Sequence, residues 1–161
     1  MPTPTYTPIA TTTLGTAAAS VTFSSISGSY TDLVLIIAGV QSVADVPYIQ
    51  FNSDTATNYS RTQLSGDGSS VSSSRNSNNA KIIFLGGDLA TFNAILNIQN
   101  YANTTTYKTA LIRSNSASER TSAAVGLWRS TSAITSLLIA NNSANTFATG
   151  STFTLYGVKS A

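Results

Sequence analysis

From Ser151 to Val158 the chain alternates, with Phe153, Leu155 and Gly157 on one side and Thr152, Thr154, Tyr156 and Val158 on the other. A period of two in β-branched and aromatic residues is the pattern of a half-buried strand, and here it predicts the closing strand of a β-sandwich. Gly150 marks the turn before it. The same alternation runs through residues 19–23, where Val21 and Phe23 share a face, and through 91–100. In the latter, Phe92, Ala94, Leu96 and Ile98 oppose Asn93, Ile95, Asn97 and Gln99. Residues 32–40 break the pattern by being apolar on both faces. This predicts a central strand covered on each side, or a strand at a subunit interface. A helix competes for that run, but its β-branched density and the glycines and serines around it favour a strand.

Further strands are predicted at 48–51, 59–64, 107–114, 122–129 and 133–140. A hairpin joins 81–85 to 91–100 across Gly86, Gly87 and Asp88. Residues 65–79 hold almost nothing to bury and predict a long exposed loop, a crest on the surface. Residues 1–14 carry prolines at 2, 4 and 8. Proline fixes φ and lacks an N–H, so this stretch is extended and has no place in a central strand. It reads as an N-terminal arm whose Tyr6, Ile9 and Leu14 would gain from lying on a neighbouring subunit. Residues 15–161 then form one domain. About ten strands, no convincing helix and no repeat of 20–50 residues exclude a propeller or solenoid. The expected architecture is all-β: an antiparallel, jelly-roll-like β-sandwich with an extended N-terminal arm.

Composition narrows the chemistry. At 161 residues the chain can bury a core without staples. With no cysteine and no histidine it has no disulfide, no thiolate or imidazole metal site, and no Ser-His-Asp or Cys-His nucleophile. Cysteine-free composition also suits assembly in a reducing cytoplasm. Charged residues make up only 9%, and the net charge of +2 comes from eight cations scattered from Arg61 to Lys159. No basic cluster tracks a phosphate backbone, so nucleic acid is not an expected partner. No apolar run approaches the ~20 residues of a membrane span, and no secretory signal pattern opens the sequence.

The run 147–158, together with Gly126-Leu127-Trp128-Arg129-Ser130 and Ala133-Ile134-Thr135-Ser136-Leu137, resembles the last third of small virion structural proteins of tailed bacteriophages. The likeness is to those of phages of cyanobacteria and marine bacteria, and it covers roughly residues 120–158. It implies a jelly-roll sandwich that decorates a capsid or forms a tail-fibre domain, located on a virion assembled in the host cytoplasm. The implied partners are its own copies, as a homotrimer, and the major capsid protein or another virion protein. The alternative is a module of a tail fibre or tailspike that binds cell-surface glycan through the crest and aromatic residues.

The candidate chemistry is thin. Asp32, Asp45, Asp54, Asp67, Asp88 and Glu119 sit at turns or strand starts, where carboxylates accept backbone amides. No catalytic pair stands out, and a non-enzymatic protein without cofactor or metal is expected. Asp67-Gly68 lacks the further oxygen ligands of a calcium loop, and Gly86-Gly87 lacks the lysine of a phosphate loop. Trp128, the single tryptophan, lies beside Arg129 and is a sugar platform, an interface anchor or simply packed in the core or a subunit interface. With Arg75 of the crest and Tyr6, Ile9 and Leu14 of the arm, these two complete the set of candidate partner-binding residues.

Overall fold

The structure, a computed structural model, describes residues 5–84, 89–116 and 120–159. Twelve strands follow in order: β1 (Tyr6–Thr13), β2 (Ser20–Phe23), β3 (Asp32–Asp45), β4 (Pro47–Phe51), β5 (Tyr59–Gly66) and β6 (Val71–Asn79). The rest are β7 (Ile82–Ile83), β8 (Leu89–Gln99), β9 (Lys108–Ser116), β10 (Arg120–Trp128), β11 (Leu137–Asn141) and β12 (Thr152–Val158). Every pairing is antiparallel. An eight-stranded sheet runs β1-β12-β3-β8-β9-β10-β5-β6 and a four-stranded sheet runs β2-β11-β4-β7. From β1 to β5 the chain changes sheet at every step, and it does so again from β6 to β8 and from β10 to β12. These crossings make the sandwich jelly-roll-like, as the spacing of short strands predicts.

The core is the sum of the inward faces. Leu33, Leu35 and Ile37 of β3, Phe92, Leu96 and Ile98 of β8, and Phe153 and Leu155 of β12 meet Val21, Phe23, Ile49, Phe51, Leu137 and Ile139 of the small sheet. Thus β12 buries the face its alternation assigns, and Gly150 before it takes a left-handed φ of 88°. Gly39 is where β3 must leave room for a ring. A Cβ there would come within 2.3 Å of Phe92, its cross-strand partner, whose ring is held against Phe84 at 6.1 Å. Lys108 is also fully buried, its Nζ donating to the carbonyls of Thr106 (2.7 Å) and Thr131 (3.1 Å).

Four expectations change. Of the arm, residues 1–4 lie outside the described residues, and residues 6–13 are extended but pair with β12 of the same chain as the edge of the large sheet. Proline excluded a central strand and not an edge: Pro8 sits where the register slips between Pro8 and Ala10, at a bulge. Residues 65–79 are not one loop, because 71–79 form β6, the opposite edge. Eight of the nine β6 residues are exposed, so the reading that this stretch contributes no core stands. The strands at 82–83 and 89–99 do not pair as a hairpin but lie in different sheets; Leu85, Gly86, Gly87 and Asp88 lie outside the described residues. Residues 133–136 precede β11 rather than belong to it. Asn52 takes up their backbone groups, with Oδ1 accepting from the amides of Thr135 and Ser136 and Nδ2 donating to Ala133 O.

Candidate functional site

The residues singled out in the sequence do not converge. Trp128 is 2% exposed and its indole packs into the core, stacked on Tyr59 at 6.2 Å and tilted against Phe51 at 5.6 Å. Its Nε1 donates to Asp54 Oδ2 at 2.7 Å. Core packing, the alternative to an interface anchor, is therefore the outcome. Arg129 is held by Thr57 O and Asn78 Oδ1. Leu14 is buried and Ile9 packs partly against the core, so neither is free for a neighbour. Tyr6 is exposed, its ring edge-on to Tyr156, and Arg75 is exposed on β6. These two stand on the opposite edge strands of an eight-stranded sheet.

The described carboxylates serve turns. Asp67 accepts from the amides and hydroxyls of Ser69 and Ser70, bonds that hold its carboxyl well below the usual range. Asp45 accepts from the amides of Val46 and Ser143 and from Asn145 Nδ2. Asp32 accepts from the amide of Asn100. At Asp54, burial pushes the pKa up, but bonds from Asn58, Trp128 and Ala56 outweigh it and leave it lowered. Tyr59 beside it is pushed up to about 12, chiefly by burial. Among the described residues no three acidic side chains gather as a metal site. Asp88 and Glu119 lie outside the described residues.

What the structure brings together is the outer face of the large sheet, turned away from the small one. Register places Ile36, Ile95, Arg113, Ala123 and Leu64 in one row across β3, β8, β9, β10 and β5. The next row holds Val34, Asn97, Leu111, Val125 and Thr62. Two depressions, of about 570 and 590 Å³, adjoin along this face and share Leu64, Arg113 and Ala123 in their walls. They form a trough with Arg113 at its centre. Asn93, Asn97 and Asn115 supply amides, while Leu64 (54% exposed), Ile95, Leu111 and Val125 supply aliphatic surface. Among the described residues no acidic side chain and no aromatic ring lines either half.

Arg113 and the trough escape a reading of the sequence for a physical reason. In 108–116 the inward set (Ala110, Ile112) and the outward set (Leu111, Arg113) are both partly apolar. Alternation alone cannot choose which faces out. The one signal available is that a lone arginine between Ile112 and Ser114 must face solvent or a partner.

No family model and no curated protein matches the chain. Among solved structures it is similar to Caenorhabditis elegans galectin LEC-6, at 12% identity and a TM-score of 0.41 over 90% of this chain and 94% of that one. A mutant of alginate lyase Aly36B in complex with alginate tetrasaccharide gives 8% identity and a TM-score of 0.32, over 94% and 80%. A human SPRY domain gives 8% and 0.23, over 91% and 96%. At such values the chemistry of the trough stands on its own residues.

Proposed function

We propose that this chain is a non-catalytic structural protein of a bacteriophage particle, a capsid decoration subunit that docks through the outer face of its large sheet. One observation carries the docking face. Of nine large apolar side chains exposed among the described residues, seven (Tyr6, Ile36, Val40, Leu64, Val71, Leu111 and Val125) project from that single face. Soluble monomers rarely gather exposed apolar surface in this way, and such patches mark contact with another macromolecule. The resemblance of residues 120–158 to virion proteins supplies the setting. The low charge fits a surface meant to be covered. Carboxylates committed to turns favour a binding role over turnover. Self-association as a homotrimer belongs to this reading, because symmetric closure is the default for shell components.

A second reading, recognition of cell-surface glycan by a tail-fibre module, draws on the amides of Asn93, Asn97 and Asn115 in the trough. Gold-labelled antibody on intact particles separates the two. Label over the capsid, with a sedimentation mass three times the chain's 16.7 kDa, is expected. Label confined to the tail tip transfers the chain to the second reading, and label absent from particles rejects both.

A further inference from the structure

The trough carries a charge that no described residue answers. Arg113 has no hydrogen-bond or ion-pair partner among the described residues, and its cross-strand neighbours are Ile95 and Ala123. Uncovered, the exposed guanidinium is hydrated at little cost, but a partner that covered the aliphatic walls without a counter-charge would strand a buried cation. We propose that the trough binds a segment of a different protein that presents a carboxylate framed by aliphatic side chains, with Arg113 taking the carboxylate and Leu64, Leu111, Ile95 and Val125 taking its neighbours. The proposal rests on the docking face assigned above and names the kind of partner that fits it.

Charge and shape favour this occupant over the others. A second copy docked face to face about a two-fold axis through the trough would bring Arg113 close to its own mate, which is repulsive in a low-dielectric interface. The carboxylates described in a copy, Asp32, Asp45, Asp54 and Asp67, already accept hydrogen bonds from their own chain. Glycan would be expected to stack on an aromatic ring, and the lining holds none. Aliphatic walls on both sides of one guanidinium instead match alternating apolar and acidic side chains. Arginine suits this task because its planar fork engages a carboxylate through two parallel bonds.

The test uses the full chain against a random decapeptide display library, in parallel with an immobilised set of oligouronates. Wild type is expected to select peptides with Asp or Glu between aliphatic residues. Arg113→Gln, an exposed substitution, should weaken those peptides roughly tenfold or more, the value of a charge-assisted hydrogen bond. Arg113→Glu should shift selection to Lys or Arg. The proposal is overturned if wild type selects no acidic consensus, if Arg113→Gln leaves affinity unchanged, or if oligouronate binding depends on Arg113 while peptide binding does not. An acidic consensus from a protein absent from particles would defeat the virion reading and keep this one. A capsid-bound protein with no acidic consensus would do the reverse.

Discussion

At the scale of single residues, the cluster around Asp54 shows how one buried tryptophan is paid back in hydrogen bonds. Trp128 Nε1, Asn58 Nδ2 and the Ala56 amide all donate to the Asp54 carboxylate, and Tyr59 stacks on the indole. Trp128→Phe keeps a ring in the core but removes one donor and leaves a gap. It should cost roughly 2–4 kcal/mol of unfolding free energy, read by urea denaturation. Because the folded pKa of Asp54 lies below its ordinary value, its contribution is present above about pH 4 and is lost as pH falls through the folded value. Asp54→Asn should therefore flatten the acid limb of the stability profile. Tyr59 works with the opposite sign. Its folded pKa is raised to about 12 from 10.0, so stability is full below pH 10 and drains away between 10 and 12. In Tyr59→Phe, thermal melts should show a weaker decline over that window, and a decline as steep as in wild type would contradict the assignment.

At the scale of elements, legibility followed the contrast between faces. β8 and β12 were readable because one face is apolar and the other polar, and β2 for the same reason. β6 was not, because an edge strand exposed on both faces has no buried set to betray its period. The false hairpin at 81–100 came from a turn signal that is equally valid for a crossover between sheets. β1 was extended as its prolines require, yet its partner could not be read, since an edge strand uses only half its backbone groups and tolerates Pro8 at a bulge. That pairing makes β1 part of the fold. Deleting residues 1–12 removes almost all of β1, strips Ile9 from the core margin and bares the edge of β12. The truncated chain should lose roughly 1.5–3 kcal/mol and aggregate more readily on heating. A melting temperature equal to the full chain's would mean that β1 is only laid on the sheet.

For the whole molecule, the two faces of the large sheet differ in kind: one is core and the other is open and partly apolar. The inner face was legible as core, while the outer one was legible only as the doubly apolar character of residues 32–40, for which a subunit interface was one expectation. Its full extent depends on register across β3, β8, β9, β10 and β5, which no local pattern contains. If that face exists for a partner, it should be removable without harm to the fold. Leu111 and Val125 face each other across β9 and β10 and are 42% and 45% exposed. Replacing both with threonine puts a β-branched, strand-compatible side chain at each position while removing aliphatic surface. The double variant should lose no more than about 1–2 kcal/mol, since much of the area removed is already wet. Ile37→Thr, on the inner face and 1% exposed, should cost roughly 2–4 kcal/mol by comparison. Occupancy on particles should fall sharply for the outer-face pair at unchanged folding. Were occupancy to hold while the protein stayed folded, attachment would have to lie elsewhere. Were stability to fall as far as in the Ile37 control, the outer face would be serving the chain's own packing rather than a partner's.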